Sequence, residues 1–232
     1  MKRALDVLRL GLFSAMLAFV TLACCRTTNV IIEERNTVPW SFADIIESSV
    51  SVSIQTASGD VVSGGSGTLI PGGRVLTARH VVDGLGSKKI VVFSDFEFDR
   101  SPAVVLMTSS SEDAAEDWAI LVLEKPFGTP ANLPEMGDLL RPRYSRVWAV
   151  GYPLWSKCGI ITEGRFQGKE YGLLRITAPI IYGNSGGGLF ASARGKPVLI
   201  GMPVRIHLVG AAPVSHMAFC VDVQELVNRK IL

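Results

Sequence analysis

The sequence predicts an all-β protein, built as a closed barrel or a sandwich. Apolar strand-like runs of four to seven residues recur along the chain. Clusters of turn residues, such as 71–73 (PGG) and 84–87 (GLGS), separate these runs. Short strands at this spacing are typical of antiparallel sheets and not of alternating strand–helix units.

A short helix and a first set of strands begin the predicted fold. Ser41 with Asp44 three positions later is typical of a helix N-cap, which predicts a short helix to about Ser49. Strand-like runs follow at 50–56, 66–70, 74–77, 89–94, 103–108 and 118–124. The proline-rich residues 127–143 then predict a crossover without regular structure.

A second set of strands and a terminal helix follow the crossover. The strand-like runs lie at 146–151, 160–166, 173–176, 188–191, 198–204 and 218–221. Asp222 with Glu225 forms a capping-box pattern, which predicts a C-terminal helix from Val223 to about Lys230. The sequence therefore predicts two groups of six strands.

The composition excludes several classes of partner. The formal net charge of the 232 residues is +2, and no basic run resembles a nucleic-acid-binding tail. The three histidines lie in separate segments, away from any cysteine pair with metal-ligand spacing. We therefore expect no nucleic-acid partner, no metal and no other cofactor.

The first 25 residues are typical of a secretory signal peptide. Lys2, Arg3 and Arg9 precede or flank an apolar stretch at 10–23 that is short for a membrane span. The stretch ends at Cys24 and Cys25, where a small residue before a cysteine resembles a bacterial lipidation site. Lipidation, plain cleavage and an uncleaved anchor stay open as alternatives. We expect an exported protein, either periplasmic or anchored by its N-terminus and facing the periplasm or the cell exterior.

Residues 26–40 predict a tether, and two cysteines lie beyond it. Export permits a disulfide between Cys158 and Cys220. Their surroundings place them on different strands, so we favour two unbonded thiols.

A serine within a run of glycines carries the strongest indication of chemistry. Residues 183–189 read GNSGGGL, and glycine lets backbone N–H groups turn toward one point. A hydroxyl beside such groups suits acyl transfer, which needs a nucleophile and donors for an oxyanion. Residues 76–80 (LTARH) and 117–121 (DWAIL) supply a histidine and an aspartate earlier in the chain.

These three segments, with 65–70 (GSGTLI), resemble the trypsin/chymotrypsin-fold serine peptidases over roughly residues 41–230. Within that group the chain is most similar to the HtrA/Deg-type peptidase domain. The resemblance implies a peptidase domain at 41–232 made of two six-stranded antiparallel β-barrels, at about 46–126 and 144–232. It leaves no residues for the PDZ domain that many HtrA-type chains carry.

The resemblance also implies the role of each site residue. Ser185 is the expected nucleophile, His80 the base and Asp117 the group that orients the imidazole. The N–H groups of Gly183 and Ser185 form the expected oxyanion hole. Asp117 is preferred to the nearby carboxylates because it directly precedes an apolar strand; those alternatives are Glu112, Asp113 and Glu116.

The resemblance also implies a substrate pocket, whose floor lies about six residues before the nucleophile in that family. By this count Pro179 and Ile180 form the floor, while Val204 and Ile206 lie on a strand that pairs with substrate backbone. The absence of an acid at the floor argues against cleavage after Lys or Arg and favours small or medium apolar residues.

The sequence therefore predicts an exported serine endopeptidase that acts on polypeptides through an acyl-enzyme. Two alternatives stay open. One is a peptide-binding or chaperone-like module without turnover, and the other is an esterase. Oligomers are common among HtrA-type enzymes, but no trimer-forming segment can be identified in the sequence.

Overall fold

A computed structural model describes Val38 and residues 40–135, 142–209 and 212–232. Residues Trp40–Leu232 form one compact unit. The predicted signal peptide, with Cys24 and Cys25, and nearly all of the tether lie outside the described residues, as does the middle of the crossover.

Six strands of the first half close into an antiparallel barrel in the order β1-β2-β3-β6-β5-β4. They are β1 (Ser49–Gln55), β2 (Val61–Ile70), β3 (Arg74–Thr77), β4 (Lys89–Phe93), β5 (Arg100–Thr108) and β6 (Ala119–Leu123).

Six strands of the second half close into another antiparallel barrel, in the order β10-β11-β12-β9-β8-β7. They are β7 (Arg146–Gly151), β8 (Ile160–Glu170), β9 (Leu173–Ile176), β10 (Gly188–Ala193), β11 (Lys196–Val209) and β12 (Ala212–Asp222). The predicted all-β fold with two six-stranded barrels is thus confirmed.

Each barrel has its own apolar interior, because side chains alternate between the two faces of a strand. In β1, Val50, Val52 and Ile54 are buried, and Ser51 and Ser53 occupy the alternate positions. The second barrel encloses a core cluster that includes Val147, Ala149, Leu174, Ile176, Leu189 and Ile200.

Three short α-helices and three 3₁₀ turns complete the described residues. The helices are α1 (Ala43–Ile46), α2 (Arg79–Val82) and α3 (Val223–Asn228). The 3₁₀ turns are Asp95–Glu97, Ala114–Glu116 and Pro153–Trp155.

Helices α1 and α3 both end earlier than the sequence predicts, and α3 ends at Asn228 rather than at about Lys230. Helix α1 ends at Ile46 rather than near Ser49, because the hydroxyls of Ser48 and Ser49 donate to the Ile45 carbonyl and β1 begins there. The N-cap residue of α1 is Phe42, which forms no side-chain cap bond, and the predicted N-cap Ser41 lies one residue earlier. Ser41 Oγ accepts from Ala43 N, and Asp44 Oδ2 accepts from Ser41 N. Helix α3 begins where predicted, with Asp222 Oδ1 accepting from Gln224 N.

Tyr152 joins the two barrels directly behind the serine turn. Its hydroxyl donates to the Ser49 carbonyl at 3.0 Å, and its backbone N–H donates to Ser66 Oγ at 2.8 Å. Tyr152 follows β7, whereas Ser49 and Ser66 belong to the first barrel. The seam between the barrels is therefore fixed by hydrogen bonds that water does not reach.

The remaining sequence expectations concern thiols, membranes and metals. Cys158 and Cys220 are both free thiols, and burial raises the pKa of the Cys220 thiol. None of the helices in the described ranges is long and apolar enough to cross a bilayer. Within the same ranges, His, Cys, Asp and Glu side chains form no group of three or more that could hold a metal ion.

Candidate active site

His80 and Asp117 meet at one end of the first barrel. His80 lies in α2, directly after β3, and Asp117 lies between a 3₁₀ turn and β6. The carboxylate bonds twice to the histidine: Asp117 Oδ1 accepts from His80 N at 3.0 Å, and Asp117 Oδ2 is 2.6 Å from His80 Nδ1. Because Nδ1 is held in this way, Nε2 is the ring nitrogen left to exchange a proton with a third group.

Two opposing effects set the charge of Asp117. Burial acts to raise the pKa of its carboxyl, while the hydrogen bonds and the charge of His80 lower it. The net result is a pKa below the ordinary value of 3.8, so the carboxylate is ionised at neutral pH.

The turn that carries Ser185 lies against the segment that leads to His80. Gly186 has a φ of +86°, and a Cβ there would lie 2.8 Å from Ala78 N, two residues before His80. The carbonyl of Ser185 accepts from Ser66 N at 2.8 Å. On the other side of the turn, Gly186 N donates to the Pro203 carbonyl of β11 at 2.9 Å.

Two N–H groups of this turn are not used by the described part of the chain. Asn184 N donates to Ile181 O, and Gly187 N donates to Asn184 O. Gly183 N and Ser185 N donate to no described residue. The Ser185 hydroxyl likewise forms no hydrogen bond within the described ranges, so a hydroxyl and two N–H donors lie unengaged on one turn.

A turn from the second barrel holds the peptide unit before Gly183. Leu154 N donates to the Tyr182 carbonyl at 3.0 Å. A Cβ on Gly183, where φ is +95°, would lie 2.7 Å from the same Leu154 N. Because a trans peptide unit carries its C=O and N–H on opposite sides, the bond to the carbonyl directs the Gly183 N–H away from Leu154.

Two contributions to this geometry were missed by the sequence analysis: the Ser66 hydroxyl and the turn at Leu154 and Trp155. Ser66 Oγ donates to the Gly183 carbonyl at 2.7 Å while accepting from Tyr152 N. Leu154 and Trp155 have φ of +50° and +59°, which is unusual for bulky residues. Ser66 belongs to the quoted segment GSGTLI, but the Leu154 turn has no glycine or asparagine to indicate a left-handed conformation.

Arg79, next to the histidine, forms a hydrogen bond to the loop that carries Asp117. Its Nη1 donates to the Ser111 carbonyl at 2.6 Å, and its Nε lies 3.7 Å from Asp83. Only 19% of its side chain is exposed. This residue thus holds the loop that precedes Asp117 against α2.

The rival carboxylates of that loop have other partners or face solvent. Asp113 Oδ1 accepts from Ala115 N at the start of the 3₁₀ turn. Glu116 pairs with Arg229, the residue directly after α3, and accepts from Trp118 Nε1. Glu112 is exposed. Among the described carboxylates, Asp117 is the one that contacts His80.

The predicted pocket residues lie in the second barrel, beyond the serine turn. Ile180 belongs to the buried core, and Ile206 packs against it. The Pro179 carbonyl accepts from Thr162 Oγ1 at 2.9 Å. Val204 is partly buried on β11, which pairs with β10 only as far as Gly201 and then with β12 alone. The other edge of residues 204–206 therefore has no strand beside it in the described structure.

Comparison with known proteins agrees with this architecture. Residues 65–202 match the family described as "Trypsin-like peptidase domain", and this range includes Ser66, His80, Asp117 and Ser185. No match was found among curated proteins. The family match covers more than half of the chain, and the two closed barrels are consistent with the chymotrypsin-like fold. The chain therefore belongs to the trypsin-like peptidase domain family.

Proposed function

We propose that this protein is an exported serine endopeptidase of the HtrA/Deg type, with Ser185, His80 and Asp117 as its catalytic triad. One observation carries the proposal. Gly183 N and Ser185 N are unengaged on a turn that packs next to Ala78, in the same segment as the histidine bound to Asp117. Unused donors beside a hydroxyl, and an imidazole held by a carboxylate, suit the transition state of acyl transfer.

In the proposed first step, Ser185 Oγ attacks the carbonyl carbon of a peptide bond. His80 Nε2 takes the hydroxyl proton, and the carboxylate of Asp117 stabilises the imidazolium through Nδ1. The negative charge that develops on the substrate oxygen is bound by the N–H groups of Gly183 and Ser185.

In the second step the tetrahedral intermediate collapses and the C–N bond breaks. His80 Nε2 returns its proton to the leaving amine, which leaves an acyl group on Ser185 Oγ. A water molecule then attacks this ester while His80 Nε2 accepts its proton, and His80 returns that proton to Ser185 Oγ as the ester bond breaks. The products are a carboxylic acid, an amine and regenerated enzyme.

The substrate in this proposal is an extended polypeptide. Its backbone pairs with the free edge of β11 at residues 204–206, which is the usual way that a peptide adds to a sheet edge. Pro179, Ile180, Val204 and Ile206 form the proposed subsite for the residue before the cleaved bond. These side chains are apolar, which favours cleavage after small or medium apolar residues.

The location outside the cytoplasm rests on the N-terminal sequence. A basic start, an apolar stretch at 10–23 and a cysteine at 24 or 25 support export with a lipid anchor on that cysteine. Mass spectrometry of the mature N-terminus tests this part. A first residue of Cys24 or Cys25 with an added lipid mass is expected, and the full chain starting at Met1 would contradict it.

Labelling with a fluorophosphonate reagent tests the enzyme itself. Peptide mapping should find the reagent on Ser185, and Ser185→Ala should abolish both labelling and cleavage of a denatured protein while the fold persists. The matched control is Ser192→Ala, an exposed serine of β10, which should label as the wild type does. Folded protein that retains peptides but is not labelled would instead indicate a binding module without turnover.

A further inference from the structure

A cavity of about 420 Å³ lies between the first barrel and the 3₁₀ turn Pro153–Trp155 of the second. Its apolar walls are Val61 and Val62 of β2, Phe93 of β4, and Trp155. Ser51 and Ser53 of β1 line it as well. Volumes of about 300–1,000 Å³ are usual for sites that hold small ligands or large side chains.

Small residues of the first barrel create this space. Ser51 and Ser53 take the positions in β1 that alternate with the buried valines, so they face out of the barrel toward the cavity. In β2, a Cβ on Gly64 would lie 3.3 Å from Trp155 Nε1. The indole of Trp155 can therefore lie close to β2 and cover the outer face of the barrel.

Two neighbouring glycines of β2 lie close to the serine turn and to the cavity, respectively. A Cβ on Gly65 would lie 2.8 Å from the Ser185 carbonyl, and the next residue, Gly64, faces Trp155. From Gly65 to Val62 the strand advances three residues, which is about 10 Å at roughly 3.3 Å per residue. The serine turn thus has the free edge of β11 on one side and this end of β2 on the other.

That arrangement sets the path of a substrate. If the acyl half of a polypeptide pairs with β11 at residues 204–206 as proposed, the other half would leave Ser185 on the opposite side, along β2. About 10 Å of extended chain contains three residues. The second or third residue after the cleaved bond therefore reaches the cavity.

We propose that this cavity binds a bulky apolar or aromatic side chain of the substrate, two or three positions after the cleaved bond. The inference rests on the proposed peptidase function. Val61, Val62 and Trp155 are 55%, 49% and 62% exposed, so an occupant would cover apolar surface that now faces solvent. At the rim of the cavity, Lys157 Nζ lies 3.8 Å from Glu97 Oε1. Because these opposite charges offset one another, the rim attracts neither a cationic nor an anionic side chain.

The experiment begins with cleavage sites in reduced, carboxymethylated albumin, mapped by mass spectrometry. Phe, Tyr, Leu or Met should be enriched two or three residues after the cut. Two peptides are then made from one mapped site, with Phe or Ser at that position. Wild-type kcat/KM should favour Phe by about 10- to 100-fold, the value that burial of one large apolar side chain supplies.

Two variants change opposite walls of the cavity. Trp155→Ala removes the indole, and Val62→Asp places a charge on β2 without altering the turn next to Gly183. Both should lose most of the preference for Phe. Tyr171→Ala removes an aromatic side chain that is 87% exposed and distant in sequence from the cavity, so it should keep the preference.

A substrate without residues after the cleaved bond separates this inference from the proposed function. A peptidyl arylamide should be hydrolysed equally by the wild type and Val62→Asp, and fluorophosphonate labelling of Ser185 should be unchanged. If labelling persists but the wild type shows no preference for Phe, or Val62→Asp keeps it, the cavity is not a subsite. If the wild type neither labels nor cleaves, the proposed function fails and the subsite fails with it.

Discussion

The two barrels contribute unlike halves to the candidate active site. In the first, His80 and Asp117 satisfy one another through two hydrogen bonds, and Arg79 ties their loop to α2. In the second, the Ser185 hydroxyl and the N–H groups of Gly183 and Ser185 have no partner among the described residues. One half is internally bonded, and the other keeps unused hydrogen-bonding capacity.

This difference fits the role that the proposed mechanism gives to each half. An imidazole base needs one tautomer and one orientation, and a fixed carboxylate supplies both before substrate binds. The N–H donors proposed to bind the developing negative charge must stay unengaged until the substrate oxygen arrives. Leaving these polar groups unpaired therefore destabilises the folded protein before substrate binds. The glycines of the serine turn keep those donors in place without side chains that would satisfy them.

The largest effect is expected from breaking the bonded half. In Asp117→Asn, the amide oxygen can still accept from His80 N, but the NH₂ group then faces Nδ1. That nitrogen must become an acceptor, so the ring proton moves to Nε2 and the base can no longer take the serine proton. We expect kcat to fall by about 10⁴-fold, the effect known for this change in a serine protease triad.

The control for this variant is Asp113→Asn in the same loop. Asp113 caps the 3₁₀ turn through Ala115 N, a role that asparagine also fills. Steady-state hydrolysis of a peptide should therefore be unchanged in the control. Equal losses in the two variants would show that the loop, and not the carboxylate at Asp117, is responsible.

A smaller effect is expected from disturbing the unengaged half. Gly183→Ala would place a Cβ 2.7 Å from Leu154 N and 2.8 Å from the Tyr152 carbonyl, so the backbone at the proposed oxyanion donor must move. Loss of one such donor lowers kcat by about 10²- to 10³-fold.

Gly59→Ala is the matched control, because Gly59 has the same φ of +95° but no atom within 4 Å of the added Cβ. Both variants carry the left-handed strain of about 1–2 kcal/mol, which thermal unfolding measures. Only Gly183→Ala should lose activity. If Gly59→Ala lost as much kcat, the assignment of Gly183 as a donor would not stand.

The smallest effect is expected at the ion pair between Glu116, in the loop that carries Asp117, and Arg229, directly after α3. The hydrogen bond from Arg229 lowers the pKa of Glu116 below its ordinary value of 4.5. A carboxyl pKa that is lower in the folded than in the unfolded state increases the free energy of unfolding at pH values above the ordinary pKa. This contribution is lost as the pH falls through the lowered pKa. Arg229 is 46% exposed, so solvent screening limits the pair to about 0–1 kcal/mol.

Arg229→Met should therefore lower the melting temperature slightly at pH 7, and the difference from the wild type should shrink below pH 4.5. Arg194→Met removes an ion pair whose partners are 82% and 78% exposed, and it should change stability less. A difference that grew on acidification would contradict the proposed sign.

Sequence patterns predicted the strand cores well, because buried strands are apolar and turns between them contain glycine and proline. They missed the first part of β2, where residues 61–65 read VVSGG and show no alternation. They also missed α2, which is a single turn of four residues.

The site was predictable only in part. The motifs around His80, Asp117 and Ser185 are local in sequence, so their residues could be chosen in advance. The contacts that support them join distant segments: Glu116 and Arg229 are 113 residues apart, and Ser66 and Gly183 are 117 apart. Neither the exposed ion pair nor the serine hydroxyl leaves a local pattern that would identify its partner.

In the proposed mechanism, loss of the hydrogen bond from Leu154 N to the Tyr182 carbonyl would leave this protein folded but idle. Leu154 and Trp155 hold left-handed backbone angles that cost about 1–3 kcal/mol each, so relaxation of their turn is favoured locally. Once the turn relaxes, the amide plane before Gly183 is free to rotate, and its N–H can face away from the substrate oxygen. Turnover would then stop although both barrels, the imidazole and the nucleophile stayed in place.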